Sequence, residues 1–380
     1  MERLHRIIDL YSILSSDQHS EPNRLLIYHC GVSLRLMDSP AVSVIMPTLN
    51  DAEYIERAVE SILDQSHSDF ELIIIDDGST DGTVERIKQF TDERLYLVQR
   101  KDETGVASAR NEAISRASGE YIAVHDADDW SHPDRFKTQV EYLDENPEVA
   151  LVGTGSYLVD EDGNIQSRRH VLESLSITDL KIHNEFVHGS VLMRRCALNM
   201  VGDYDERFDV AEDYDLWLRF TSKYKIRNID EPLYYFRQHN ESSYASNLTK
   251  TKLYHLLALR RAQNHLDDEI HSSVEKNGIE TYYNKLDTEE KVWFHTELAR
   301  EQLRYGNLTS GREHAKEAIR LNPSNITLLG MVLLSLTTPF VVKSVARTYR
   351  QIINGRIQLQ NWWSTSCLSS NLSHDDNKYN

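Results

Sequence analysis

From Ala41 onward the chain alternates short apolar runs with longer amphipathic stretches, and that alternation leaves few folds open. The runs at 42–46, 72–75, 95–98 and 121–124 are short and continuously apolar, which predicts strands covered on both faces. Between the first two lies AEYIERAVESILDQ, where Ile55, Val59, Ile62 and Leu63 recur at helical spacing and Asn50 or Asp51 can cap the start. Further helices are expected after Ser79 and Asp81, along a face carrying Val106, Ala109, Ala113 and Ile114, and from Pro133. Strand, crossover helix and strand repeated in this way predict a parallel sheet flanked by helices.

Past Val149 the pattern loosens into shorter strands, a DEDGN turn at 160–164, a helix around 212–224 and a strand over 232–239, so the unit reads as mixed α/β. After about Ser246 strand signals stop and helical patterns run to about Arg356. The expected organisation is an extension at 1–40, an α/β catalytic domain at 41–246, a helical domain at 247–360 and a Ser/Asn-rich disordered tail at 361–380. Two folded units suit 380 residues. Within the helical part, Ala299, Gly306, Ala315, Ala318 and Pro323 fall where a tetratricopeptide-like helix pair places its small residues and closing proline. The apolar run at 326–342 is at the short end of what spans a bilayer and is read as a buried helix. The alternative is an in-plane membrane contact through 326–356, where Lys343, Arg347, Arg350 and Arg356 follow the run.

Acidic residues outnumber basic ones by 60 to 42, a formal net charge of −18 that repels phosphate backbones and argues against a nucleic-acid partner. An anionic ligand must then be met by local cations or a metal. Three widely spaced cysteines, Cys30, Cys196 and Cys367, fit neither a disulfide framework nor a thiolate metal site. The first residues break their apolar positions with charges, unlike a signal peptide, so the expected location is cytoplasmic, or the cytoplasmic membrane face if 326–356 touches lipid.

Carboxylates gather at the expected strand ends: Asp76 and Asp77 after the second, Asp126, Asp128 and Asp129 after the fourth. In parallel α/β sheets ligands bind beyond these ends, so the acids should converge on one crevice. Asp126 and Asp128, one residue apart in HDADDW, can offer hard oxygens to Mg2+ or Mn2+ while leaving positions open for diphosphate oxygens. Asp also suits turns and caps, which is the plainer explanation of the same letters. Asp77 can accept hydrogen bonds from a base or ribose.

Five segments in order, VSVIMPTLN at 42–50, DDGSTDGT at 76–83, ASARNEAI at 107–114, HDADDW at 125–130 and AEDYDLWLR at 211–219, resemble the catalytic domain of glycosyltransferase family 2 with its GT-A fold. The first 40 residues and everything past about Ser246 lie outside the resemblance. It implies that Pro47, Thr48, Asn50 and Glu53 line the nucleotide pocket, Asp77 contacts the base, Arg110 faces the donor phosphates and Asp126 binds the nucleotide sugar. Asp128 would ligate the metal with help from His239, and Asp213 would be the general base of an inverting displacement. Without the resemblance, Asp213 reads as a first-turn helix acid. His188, Gly189, Glu212 and Trp217 are placed on the acceptor side, with Trp130 and Trp217 as aromatics that could stack on sugar.

The implied donor is a nucleotide-diphosphate sugar, UDP-linked by default, and the acceptor a glycan, a lipid-linked glycan or a protein. A sugar nucleotidyltransferase would need cations and glycines in the loop after the first strand, and MPTLND has none. A non-catalytic nucleotide-sugar-binding or helical scaffold protein is the other reading, against which stand Asp77, Asp128, Asp213 and His239 together.

Overall fold

In chain order β1 (Val42–Thr48), α1 (Ile55–Leu63), β2 (Phe70–Asp76), α2 (Thr83–Ile87), β3 (Leu95–Gln99), α3 (Val106–Arg116) and β4 (Tyr121–Val124) alternate along the first part of the chain. There follow β5 (Trp130–Ser131), α4 (Arg135–Glu145), β6 (Val149–Val159), β7 (Ile165–Arg169), β8 (Ser174–Leu175), α5 (Ile177–Ile182), β9 (Leu192–Arg194), α6 (Arg195–Val201), α7 (Glu212–Thr221) and β10 (Lys225–Arg237). Helices α8 (Leu248–Ala262), α9 (Asp268–Asn277), α10 (Thr288–Arg304) and α11 (Leu308–Leu321) complete the described chain. This computed structural model describes residues 39–182, 184–238, 247–263, 268–304 and 307–323. The readings made for 1–38, for His239 and for 324–380, including the 326–356 segment, lie outside those residues.

One sheet runs β3-β2-β1-β4-β9-β6-β10-β5, with β7 on β6 and β8 on β10. The β1–β4 strands pair in parallel, and β9 turns the sheet mixed by pairing antiparallel with both β4 and β6. All seven residues of β1 are buried, because helices cover both faces. Ile55, Val59 and Ile62 of α1 and Phe136 and Leu143 of α4 pack one face; α3, α7 and α8 pack the other. The second cluster continues without a break from Ile45 of β1 to Leu298 of α10, so α8–α10 share the core of the sheet. In α10 and α11, Ala299, Ala315 and Ala318 have no exposed surface, and Gly311 sits against the Leu303 side chain.

Several local expectations change. The helix cap is at Tyr54, because the Asp51 backbone carbonyl accepts from the Tyr54 and Ile55 N–H groups while its carboxylate turns back to Leu49 N and Thr48 Oγ1. The strands after Val149 are not uniformly short: β6 has 11 residues, and β10 starts at Lys225 because it runs beside β6 along its length. Pro232 is accommodated where the β6–β10 register slips, a place that needs no ladder N–H. Among the described residues no helix is long and apolar enough to cross a membrane.

Candidate active site

Register decides which side chains meet. Thr48 of β1 lies opposite Asp76 of β2, and Ile45 lies opposite Val124 of β4, so the loops carrying Asn50, Asp77 and Asp126 leave the sheet along one edge. Since β9 is antiparallel to β4, with Leu192 opposite Ala123, the segment entering β9 brings His188 and Gly189 to the same edge.

Arg110 of α3 joins the two halves of this edge. Its Nη2 lies 3.0 Å from Asp126 Oδ1 and its Nη1 donates to Glu212 Oε1 at the first turn of α7. Arg110 as a whole is 5% exposed. Burial alone would favour its neutral form, but the charges of Glu212 and Asp126 outweigh that and hold it protonated. The loop holding Asp126 and Asp128 and the helix start holding Asp213 are thereby fixed on one site. Arg110 itself is committed to this bridge, so the structure does not place it as an open phosphate receptor.

Asp213 follows Glu212 in α7, and Asn184 Nδ2 donates to its Oδ2 across 3.0 Å. Burial, and then the charge of Glu212, push the Asp213 carboxyl up to about 7. That value suits a group that must take a proton near neutrality. Ala211 precedes them at φ 64, turning the chain sharply so that the acids start the helix, where the macrodipole favours negative charge.

His188 Nε2 lies 2.8 Å from the Tyr204 hydroxyl, and its ring stands edge-on to Trp217 at 5.8 Å. Burial and then the Arg110 charge lower it to about 3, so it is a neutral wall of the site. Gly189 has no room for a side chain: a Cβ there would fall 2.0 Å from the Tyr234 hydroxyl and 2.8 Å from Asp126 Oδ2. The Asp126 N–H in turn donates to Tyr234 Oη at 3.2 Å. Gly189 therefore lets a backbone segment press directly against the Asp126 loop.

Other expected site residues are placed differently. Trp217 has no exposed surface and packs on Phe186 and Phe220, so it belongs to the core and offers no face to an acceptor. Trp130 is likewise enclosed, with the Arg57 guanidinium 3.4 Å above its ring and Tyr235 stacked at 5.0 Å. Glu212 is buried as the partner of Arg110 and does not face an acceptor. Asp77 accepts from Arg100 Nη1 at 3.0 Å, Thr104 N at 3.0 Å and Gly105 N at 2.9 Å. Burial opposes ionisation of Asp77, yet these donors lower its pKa, and the carboxylate thus ties down the entry to α3, where Gly105 has φ 99. Pro47 and Thr48 are buried at the end of β1; Asn50, with φ 58, accepts from Thr80 N at 2.9 Å, and Glu53 is exposed beside it.

Two residues were not singled out for the site from sequence. Asn184 carried no motif signal. Asp51 had been read only as a cap, although an acid after PTLN at a strand end could have been suspected. Burial, opposed by its bonds to Thr48 and Leu49 and reinforced by the charges of Asp128 and Asp81, raises Asp51 to about 6. Asp129 is also raised, first by burial and then by Asp128 and Asp126. This crowding of carboxylates around Asp128 is the electrostatic setting that a divalent cation would relieve. Among the described residues no group of three or more His, Cys, Asp or Glu is arranged to hold a metal. An ion held here would have to be bound by one or two of these carboxylates and completed by ligand phosphates, as Mg2+ often is.

The family model for Glycosyl transferase family 2 matches residues 43–208. An uncharacterized glycosyltransferase of Methanocaldococcus jannaschii is 34% identical over 233 residues, 59% of this chain and 80% of the relative. Chondroitin synthase of Pasteurella multocida is 30% identical over 226 residues, 59% of this chain but 23% of that protein. Among solved structures, a mannosyltransferase of Pyrobaculum calidifontis, in complex with GDP-Man and Mn2+, has a TM-score of 0.50 at 18% identity, covering 90% of this chain and 95% of its own. That likeness bears on fold, and the mixed sheet with its flanking helices is of the GT-A type.

Proposed function

This chain belongs to glycosyltransferase family 2 and is a glycosyltransferase, and we propose that it moves a sugar from a nucleotide-diphosphate donor to an acceptor hydroxyl with inversion, Asp213 serving as general base. The observation that carries this reading is the Arg110 bridge, which sets the Asp126–Asp128 loop and the Asp213 helix start on one site. Asp213 would take the acceptor proton as the acceptor oxygen forms its bond to the anomeric carbon. The bond from that carbon to the diphosphate oxygen breaks on the opposite face and its electron pair leaves with the nucleoside diphosphate. One proton moves, one bond forms and one breaks, and the anomeric configuration inverts.

Asp128 is the proposed ligand of Mg2+ or Mn2+, with Asp126 beside it held by Arg110 and with His239 assigned from sequence alone. When bound, the ion would neutralise charge on the leaving diphosphate. The Pyrobaculum mannosyltransferase, which binds GDP-Man and Mn2+, supports a sugar donor and a divalent ion here, and the default donor remains a UDP-sugar. The chondroitin synthase relative favours a glycan over a lipid-linked or protein acceptor. A cytoplasmic location, or the cytoplasmic membrane face through 326–356, rests on sequence alone.

The test is Asp213→Asn. The variant should fold, keep the rise in Tm that donor and Mn2+ confer, and lose about 10²–10⁴-fold in turnover, the range for a missing general base. Turnover equal to the parent's would remove Asp213 from the role. Proton NMR of the product should find the anomeric configuration inverted; retention would refute direct displacement.

A further inference from the structure

The proposed base is gripped by a side chain that none of the matching motifs contains. We propose that Asn184 is a positioning residue for the transfer reaction, its amide holding one oxygen of Asp213 so that the other meets the acceptor hydroxyl. This rests on the reading of Asp213 as base.

The geometry fixes which end of the amide faces the carboxylate. Asn184 Oδ1 accepts from the Phe186 N–H at 3.2 Å, and a backbone N–H can only donate. The amide nitrogen must therefore be the atom 3.0 Å from Asp213 Oδ2, as a donor to the carboxylate. The residue is held from behind as well, since Arg169 Nη2 donates to the Asn184 carbonyl at 3.1 Å. Next along the chain, the Phe186 ring lies 5.5 Å from that of Trp217, in the same helix as Asp213. Segment and helix are thus packed against each other, and the amide is held towards Asp213 by contacts on both of its sides.

Two consequences follow for catalysis. A general base is effective only if its oxygen lies within hydrogen-bond reach of the proton it removes, and a carboxylate free to rotate about its last bond spends much of its time misaligned. A donor aimed at one oxygen also favours the charged form, the form that accepts the proton. Burial and Glu212 press Asp213 towards neutrality, and the Asn184 amide works against them.

The decisive variant is Asn184→Ala, which removes the donor to Asp213 without adding a charge. Asn184→Asp is the companion: it keeps an oxygen for the Phe186 N–H but adds a carboxylate whose repulsion raises the Asp213 pKa further. The full-length protein is assayed with Mn2+ for nucleoside diphosphate released from UDP-glucose and from GDP-mannose, water serving as acceptor. The expected result is that the acid limb of the kcat profile moves to higher pH by about one unit in Asn184→Ala and by more in Asn184→Asp. At pH 6 that is about tenfold less turnover. Donor KM and donor-induced stabilisation should stay within about twofold of the parent, because the amide touches the base and not the donor. If Asn184 only organises its own loop through Phe186, Asn184→Ala will lose stability but keep the parental acid limb, and the inference is overturned. Asp213→Asn run in parallel separates the two failures. An active Asp213→Asn defeats the base assignment itself, whereas an inactive one beside an Asn184→Ala protein with the parental acid limb defeats only the role given to Asn184.

Discussion

Gly189→Ala is a one-methyl change whose effect can be worked out from distances. No left-handed backbone angle constrains this glycine, so alanine is excluded by space alone. Ordinary contact begins at 3.4 Å, and the new carbon would lie 2.0 Å from the Tyr234 hydroxyl and 2.8 Å from Asp126 Oδ2. The hydroxyl must retreat by 3.4 − 2.0 = 1.4 Å and the carboxylate by 3.4 − 2.8 = 0.6 Å. Tyr234 cannot swing freely: it has no exposed surface, its ring meets His125 edge-on at 5.4 Å, and the Arg135 guanidinium lies 5.2 Å from it. Overpacking costs about 1–3 kcal/mol, and losing the Asp126 N–H bond to Tyr234 adds about 1 kcal/mol. The sum of about 2–4 kcal/mol corresponds to a fall in Tm of roughly 4–16 °C. Turnover should fall further than stability suggests, toward 10²-fold, because the displaced carboxylate belongs to the donor loop. Calorimetry and donor hydrolysis measure the two effects, and the double variant Gly189→Ala/Tyr234→Phe, which removes the closest atom, should recover only part of the lost stability, because the ring carbon Cζ still lies 2.6 Å from the new methyl and the Asp126 N–H loses its acceptor. A Gly189→Ala protein melting within about 1 °C of the parent would refute the packing argument.

Other expectations follow from the same contacts. The acid limb of the pH–rate profile should lie near 7, with activity rising as pH increases through that value and Asp213 ionises; Glu212→Gln, by removing a neighbouring negative charge, should move the limb down. Asp128→Ala should abolish the part of donor-induced stabilisation that depends on Mn2+, and an unchanged Mn2+ titration would take the ligand role from Asp128. Arg261→Ala removes a cation that reaches Asp205 at 2.6 Å and the buried Asp215 at 3.2 Å. It should cost about 1–3 kcal/mol by chemical denaturation, and it should lower turnover because Asp215 shares the first turn of α7 with Asp213.

How much of this was legible beforehand depended on whether a signal was local. The β1–β4 strands and α3 could be read because each is an uninterrupted apolar run or a helical stripe, and the element that buries it lies nearby in sequence. The full length of β10 could not, because in its early residues Lys225 to Glu231 only Ile226 and Ile229 are apolar among charged and polar neighbours, and the segment becomes strand through pairing with β6. Asp126, from its place at a strand end, and Asp213, through motif resemblance, could be singled out as candidates, but the fate of Arg110 could not: nothing in ASARNEAI says that its guanidinium will be spent on Asp126 and Glu212. Trp217 was misplaced because an aromatic in a helix beside an expected active site has the same letter whether it faces the cleft or the core. Asn184 was missed because its role is a contact across 29 residues with no motif around it.

The Arg110 bridge also limits how such an enzyme can diversify. A single planar cation ties the half of the molecule that would choose the donor to the half that would choose the acceptor, so the gap between them is set by the width of a guanidinium. New specificities must then come from the loops around the rim, since widening the gap would strand a buried charge. Chimeras that exchange everything after β6 between relatives should work only where the incoming α7 begins with an acid able to meet that arginine.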